Sequence, residues 1–221
     1  MSHIPPLGVR GHLIIMVQTV ELLHQIRERL LTEPFLRIPA SLEEYESIAD
    51  ERDLKIEYHN EEIIATMGRV TPVHSRLSFV MGSILERFYE TFENEFIVLE
   101  SGACVHIPAL KSYYQPDMTV VNGEIKIKEG TTTEILNPYI VVEVLSKATQ
   151  DFDMSEKLVN YKAIETIKQI IFVAQAKPWI STYTRTNEPN VWINTDYDSL
   201  ENVAIIDNLT ISLRDIYKKI F

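Results

Sequence analysis

The chain has 221 residues, a length that fits one large domain or two small ones and allows roughly 70% of the unfolded surface to be buried. Hydrophobic residues make up 45% and charged residues 24%, which excludes a disordered, collagen-like or coiled-coil chain. The formal net charge of −11 excludes a uniformly basic nucleic-acid-binding surface, so any nucleic-acid site must be local.

The number of cysteines and the length of the apolar runs indicate the cellular compartment of the protein. A single cysteine, Cys104, cannot form an internal disulfide or a multi-cysteine zinc site, and we expect it to be a small core residue. This usage suits a reducing compartment. No apolar run approaches the roughly 20 residues that span a bilayer. We therefore expect a cytoplasmic protein without a membrane segment.

The first part of the chain predicts two helices and a hairpin. Residues 1–12 favour an irregular leader, and apolar residues at helical spacing predict an amphipathic helix over Thr19–Leu31. Ser41 stands three residues before Glu44, the capping-box spacing, and predicts a second short helix. Alternation on both sides of Asn60–Glu61 predicts a β-hairpin, in which a type I′ turn would require positive φ at the glutamate.

The middle of the chain alternates helical and strand patterns. A long apolar stripe predicts a helix from about Val73 to Phe92. Three strand-like runs follow, namely "FIVLESGACVHI", "PDMTVV" and "YIVVEVLS". The last is nearly continuous in β-branched residues, which predicts a central strand. A further helix is expected over Met154–Ile164, with Asp153 as an acidic cap three residues before Glu156.

The remaining segments complete an interleaved pattern. "KQIIFVAQ" and "WISTYTR" predict two strands, and "NVAIIDNLTISLRDIYKKIF" predicts a short strand and a terminal helix. We predict an α/β (α+β) fold with one mixed central β-sheet flanked by helices. We expect residues 1–35 to form an N-terminal leader and amphipathic helix, and residues 36–221 to form the main domain.

Two carboxylates stand out against this pattern. Glu143 lies in the middle of the most apolar strand, where a carboxylate must be paired, hydrogen-bonded or bound to a cation. Asp117 follows Pro116 at the start of the preceding long strand. Neighbouring strands would bring both to one end of the sheet, where they could bind Mg²⁺. The alternatives are a structural salt bridge for Glu143 and a turn role for Asp117.

Lys157 lies on the helix that follows the Glu143 strand. A long side chain from the first turns of this helix can reach back to the carboxylates, where a cation could orient water and offset charge on a phosphate. The alternative is a surface pair with Asp153, four residues earlier.

The ordered motifs resemble one family. "PD" at 116–117, "EVLS" at 143–146 and the Asp/Lys/Tyr helix after them are similar to the PD-(D/E)XK nuclease superfamily. Together with "SLEEYESI", "IEYHNEEII" and "TPVHSRLSFVMGSIL" they resemble the bacterial Uma-type family of putative restriction endonucleases, over about residues 41–217. The resemblance implies a restriction-endonuclease-like core.

The resemblance also implies chemistry at named residues. Asp117 and Glu143 would bind Mg²⁺, for which Mn²⁺ could substitute, and Glu57 would add a third acidic group near the metal. The strict motif has lysine where this chain has Leu145, so Lys157 would be the substitute cation. The implied reaction is in-line attack on a DNA phosphodiester by a Mg²⁺-activated water.

Three further residues are candidates for contact with substrate. His74 stands at the family's recurrent histidine position, with a packing or capping role as its alternative. Ser146 leaves the Glu143 strand and could instead bond locally. Tyr161, four residues after Lys157, could hold the lysine or a phosphate.

Two other activities remain open from the sequence. One is a non-catalytic nuclease-fold module that binds nucleic acid or a protein partner, motivated by Leu145 and by the acidic composition. The other is hydrolysis of a smaller phosphodiester. For the preferred endonuclease we expect DNA and a divalent metal as partners, and a homodimer, because cutting two strands benefits from two-fold symmetry.

Overall fold

The structure, a computed structural model, describes residues 7–92 and 95–221. The chain forms two compact units, one ending at Arg69 and one spanning Val70–Phe221. The predicted division at residue 35 stays a prediction. Within the described residues, no helix is long and apolar enough to cross a membrane.

The first unit combines helices with an antiparallel sheet in the strand order β1-β3-β2. Its elements, in chain order, are α1 (Leu7–Leu30), β1 (Phe35–Pro39), α2 (Leu42–Glu46), β2 (Leu54–His59) and β3 (Glu62–Met67).

The first helix begins twelve residues earlier than its predicted start at Thr19. The prediction of an irregular leader is therefore wrong for residues 7–12, while residues 1–6 lie outside the described residues. No proline interrupts the sequence between Leu7 and the amphipathic stripe, so the helix continues through the apolar run Leu13–Val17.

Local sequence signals explain two other features of this unit. Ser41 and Glu44 form the predicted capping box at the start of α2. The β2–β3 turn places Asn60 at φ 54° and Glu61 at φ 60°, the signs that a type I′ turn needs. The hairpin therefore holds a non-glycine residue in the left-handed region at Glu61, at some cost in backbone strain.

The second unit is built on a six-stranded sheet in the order β12-β11-β10-β9-β7-β4. Its strands are β4 (Phe96–Glu100), β7 (Met118–Asn122), β9 (Pro138–Leu145), β10 (Gln169–Ala174), β11 (Ile180–Arg185) and β12 (Trp192–Tyr197). Only β9 and β10 pair in parallel, and the other neighbours are antiparallel. The predicted α/β (α+β) class with a mixed sheet is confirmed, and the Glu143 strand β9 is central as predicted.

One face of this sheet carries the main hydrophobic core. The long helix α3 (Pro72–Tyr89), close to the predicted bounds, packs on this face. The strands contribute alternate residues to the core because successive side chains point to opposite faces. Those of the central strands β9 and β10 are Ile140, Val142, Val144, Ile171 and Val173.

The opposite face is covered by a helical segment that changes its hydrogen bonding part-way. It consists of α4 (Gln150–Phe152), a π-helical stretch over Asp153–Lys157 and α5 (Leu158–Lys162). The predicted helix is thus present but begins earlier, with Thr149 at its N-cap position. Asp153 lies inside the helix, so its predicted role as the cap is wrong.

The predicted run "FIVLESGACVHI" forms two strands in different sheets. Gly102, at φ 112°, lies in the turn between β4 and the next strand. The second strand, β5, joins a small sheet whose strands in this unit are β5 (Cys104–Ile107), β6 (Ser112–Tyr114) and β8 (Glu134–Ile135). Cys104 is a buried free thiol, as predicted.

The C-terminal segment differs from its prediction. It forms a hairpin of β13 (Val203–Ile206) and β14 (Leu209–Ser212) before the short helix α6 (Leu213–Ile216). Asp207 adopts φ 53° between the two strands, and this left-handed residue reverses the chain. The predicted single strand is therefore wrong.

The position of the core predicts different losses of stability for substitutions at two isoleucines on strands. Ile171 on β10 is fully buried, whereas Ile193 on the edge strand β12 is 57% exposed. We expect Ile171→Ala to lower the free energy of unfolding by about 2–5 kcal/mol because it opens a cavity. Ile193→Ala should lower it by less than about 1 kcal/mol. Urea denaturation measures both, and equal losses would contradict this placement of the core.

Candidate active site

The two carboxylates selected from the sequence lie on neighbouring strands, as predicted. Met118 on β7 pairs with Val142 on β9, and Thr119 pairs with Val141. Asp117 directly precedes β7, and its carboxylate reaches β9 beside Glu143, where it accepts a hydrogen bond from the Val144 amide. Both residues are buried.

Asp117 is held by the backbone of β9 and by a histidine of α3. Its Oδ2 accepts a hydrogen bond of 2.7 Å from the Val144 amide and lies 3.2 Å from His74 Nε2. The N-cap Thr71 fixes the histidine backbone, because its hydroxyl accepts from the His74 amide. The first turn of α3 thereby brings His74 to the carboxylate.

Glu143 is held by a lysine and a tyrosine from the opposite helix. Its Oε1 accepts a hydrogen bond of 2.9 Å from Lys157 Nζ and one of 2.8 Å from the Tyr161 hydroxyl. Lys157 also lies 3.2 Å from Asp153 Oδ1. The Lys157 side chain is 1% exposed and that of Glu143 is 2% exposed. We call Glu143, Asp153 and Lys157 the buried ion cluster.

The alternative prediction of a surface ion pair between Asp153 and Lys157 is wrong about the exposure of the pair. The two residues do pair at a spacing of four, but both are buried. Both residues lie in the π-helical stretch of this helix. A buried pair needs such complete contacts, because removing two charges from water costs several kcal/mol for each ion.

Aromatic rings enclose the lysine ammonium. Lys157 Nζ lies 5.6 Å from the ring centres of both Tyr114 and Phe152, within cation–π range. The Tyr114 hydroxyl accepts a hydrogen bond of 2.6 Å from the side-chain amide of Asn160. These contacts surround the positive charge with protein and strengthen its effect on nearby negative groups.

A glutamine connects the ends of three elements beside the carboxylates. Gln175, just after β10, donates from Nε2 to the Leu145 carbonyl at 2.9 Å. Its Oε1 accepts 2.6 Å from the Thr71 hydroxyl. The same threonine caps α3, so Gln175 couples the helix that carries His74 to the end of β9.

The remaining sequence candidates have local surroundings in the structure. Ser146 bonds within its own turn, with Oγ at 3.0 Å from Thr149 Oγ1 and accepting from the Thr149 amide. Glu57 lies on β2 in the other compact unit and is buried, not half-exposed as a hairpin position suggests. The substrate and metal roles of Ser146 and Glu57 stay predictions.

The donor chemistry of the pair fits a hard divalent cation. Asp117 and Glu143 supply carboxylate oxygens, the ligands that Mg²⁺ prefers. Glu143 and Asp153 face the Lys157 ammonium, and Asp117 lies beside the His74 ring. Across the described residues, however, no group of three or more His, Cys, Asp or Glu side chains is arranged to hold a metal ion. Any cation here would therefore rest on two protein carboxylates plus water or substrate oxygens.

Three contributors were missed or misassigned from the sequence. Asp153 was assigned to a cap, although its spacing of four from Lys157 signalled the contact. Nothing in the sequence marked Tyr114, because it comes from a separate small sheet. The sequence around Gln175 likewise does not indicate its role, since the hydrogen-bond partners of its side chain depend on where β9 and β10 end.

Comparison with known proteins identifies the family. The family model described as "Uma2: Putative restriction endonuclease" matches residues 42–214, more than three quarters of the chain. This chain belongs to the Uma2 family. The match includes every candidate from Glu57 to Tyr161, so the Uma-type resemblance is confirmed.

Two further proteins are similar to this Uma2 chain. One is the "Uncharacterized protein sll1609" of Synechocystis sp., 25% identical over 153 residues, which are 69% of this chain and 84% of the relative. The other is a crystal structure described as a putative nuclease belonging to DUF820 from Anabaena variabilis. It superposes with a TM-score of 0.61 over 75% of this chain and 91% of its own, at 13% identity. That likeness shows that the two chains share a fold.

The buried ion cluster predicts a large stability effect. Lys157→Met removes the ammonium and leaves Glu143 and Asp153 buried together, so we expect a loss of about 3–5 kcal/mol in the free energy of unfolding. Lys157→Arg keeps the charge and should lose less.

An exposed pair supplies the control. Arg214 lies 2.7 Å from Glu201, with both side chains mostly exposed. Arg214→Met should therefore change the free energy of unfolding by less than about 1 kcal/mol. Chemical denaturation of the three variants tests the cluster, and a Lys157→Met loss as small as that of Arg214→Met would refute it.

Proposed function

We propose that this Uma2 protein is a Mg²⁺-dependent endonuclease that hydrolyses DNA phosphodiester bonds. The observation that carries the proposal is the Asp117 carboxylate bonded to the Val144 amide beside Glu143, with Lys157 bonded to the glutamate. Membership of a family described as a putative restriction endonuclease supports a nuclease.

Asp117 and Glu143 would hold the Mg²⁺, with Mn²⁺ as a substitute. When bound, the metal would lower the pKa of a water molecule and neutralise charge on the phosphate. The protein prepares the two carboxylates in advance. The Val144 amide orients Asp117, and Lys157 with the Tyr161 hydroxyl orients Glu143. A preorganised site reacts without reorganising its own dipoles.

The other residues have distinct roles in the proposal. Lys157 acts on the phosphate electrostatically, because its ammonium is enclosed and a charge acts strongly in a poorly polarisable interior. His74 borders Asp117, with 3.2 Å between His74 Nε2 and Asp117 Oδ2, and can donate a hydrogen bond there. Tyr161 and Ser146 are the proposed substrate contacts, and the role of Glu57 as a third acidic group stays a prediction from the sequence.

Double-stranded DNA is the substrate that we propose, and a homodimer is the assembly that would cut both strands. Two-fold symmetry places two equivalent sites on the two antiparallel strands. The acidic composition makes metal-free binding weak, because a net charge of −11 repels the phosphate backbone outside local basic surfaces.

A non-catalytic nuclease-fold module is the second candidate, and a specific observation favours it. Glu143 is paired with the Lys157 ammonium, and Asp117 contacts the His74 ring. If both contacts are permanent, they satisfy the two carboxylates without a metal. Leu145 in place of the usual motif lysine points the same way.

Cleavage of DNA by matched carboxylate variants tests the endonuclease. Asp117→Asn and Glu143→Gln each remove a negative ligand with little change in shape. We expect each to lower the cleavage rate by about 100-fold or more, since losing several kcal/mol of charge stabilisation corresponds to such a factor. The control Glu201→Gln, on an exposed side chain, should cleave like wild type. Equal cleavage by all four proteins would contradict the assignment.

Calorimetric titration with Mg²⁺ and Mn²⁺ separates the two candidates. The endonuclease requires heat of binding in wild type and its loss in Asp117→Asn. The non-catalytic module predicts no binding in either protein, because protein groups already occupy the carboxylates. Circular dichroism should show that the variant remains folded.

A further inference from the structure

The end of α5 and the strands β11 and β12 bring two cations against two aromatic rings. Arg185 Cζ lies 4.3 Å from the ring centre of Trp192, the residue opposite it across the strands. Lys162 Nζ lies 4.5 Å from the ring centre of Tyr183 and 5.8 Å from that of Trp192. We call these four residues the cation–aromatic patch. All four are half-buried, so the patch reaches the surface.

Arg185 has a structural role within the patch. Its guanidinium donates to the carbonyls of Lys162 and Ile164 at 3.0 and 2.7 Å, and to that of Ile167 at 2.7 Å. These carbonyls follow the last turn of α5, where a positive charge is favourable. The arginine therefore fixes the end of the helix and the ring of Trp192 together.

Hydrogen bonds to the end of a helix, as made by Arg185, do not explain the position of the Lys162 ammonium. Burial lowers the pKa of its ammonium, and no carboxylate in the part of the chain that the structure describes opposes this shift. The ammonium instead lies over the Tyr183 ring. A partly desolvated cation of this kind gains most when an anion approaches, because the anion restores the interactions that water supplied.

The patch lies on the same sheet face as Glu143. Across β9, β10, β11 and β12 the paired residues Glu143, Phe172, Ser181 and Asp196 form one row. Tyr183 and Arg185 follow Ser181 at intervals of two residues and therefore share its face. At ordinary strand spacings the patch lies about 15–20 Å from Glu143. That distance corresponds to several nucleotides at 3.4 Å or more each.

We propose that the cation–aromatic patch binds a single-stranded segment of nucleic acid that adjoins the double-stranded DNA held at the cleavage site. Lys162 contacts a backbone phosphate, and a base stacks on the ring of Trp192. Positive side chains beside exposed aromatic rings are the two components of single-strand binding surfaces. The carboxylates of Asp196 and Glu165 lie near this region, and their negative charge limits the attraction of phosphate to the patch itself. The proposal rests on the proposed nuclease function, since a nuclease must hold the strand that it cuts.

Metal-free binding measurements test the patch separately from cleavage. The probe is a fluorescein-labelled single strand of about 20 nucleotides, titrated in EDTA and followed by anisotropy. We expect Trp192→Ala to raise Kd about 5- to 100-fold, because it removes a base-stacking contact. Trp192→Phe keeps an aromatic ring and should restore most of the affinity. Lys162→Gln should raise Kd and reduce the slope of log Kd against log salt by about 0.7.

Matched controls make the outcome decisive. Lys218→Gln removes an exposed lysine beside α6, whose buried residues belong to the core on the other sheet face, and should leave Kd within about twofold of wild type. Wild-type Kd in the Lys162 and Trp192 variants would overturn the proposal, and so would an equal loss in Lys218→Gln. Because the assay contains no metal, a protein that never cleaves DNA can still support the patch. A protein that cleaves but whose patch variants bind normally refutes the patch alone.

Discussion

The rest of the site depends on the buried ion cluster of Glu143, Lys157 and Asp153. A carboxylate at the centre of the most apolar strand would be prohibitively costly without a charged partner. The lysine supplies that partner from the covering helix, and Asp153 holds the lysine from one turn earlier. The requirement explains why the helix adopts a π-helical stretch and why rings enclose the ammonium.

The cluster stands beside a third carboxylate, that of Asp117, which directly precedes the strand next to β9. The side chains of Asp117 and His74 are 8% and 12% exposed, more than that of Glu143 at 2%. A net charge of −11 is compatible with nucleic-acid binding when a cation at the proposed metal site and the proposed cation–aromatic patch supply local attraction.

Sequence reasoning succeeded where strong local patterns decide the structure. The β-branched run around Glu143 predicted a central strand, and that strand is neighbour to the one that follows Asp117. The π-helical stretch was not predictable, because it follows from tertiary demand on Asp153 and not from its own capping signal. Strand β12 was missed because an exposed edge strand has little apolar alternation. Gln175 was missed for the same tertiary reason, since its partners meet only in the folded chain.

Anomalous diffraction from crystals soaked in Mn²⁺ tests the central claim most directly, because it locates the ion without relying on activity. The account predicts one strong peak within about 2.5 Å of carboxylate oxygens of both Asp117 and Glu143. It also predicts that Lys157 remains beside Glu143 in that crystal. No peak at these carboxylates, with Glu143 held only by Lys157 and Tyr161, would contradict the metal-dependent account and favour the non-catalytic module.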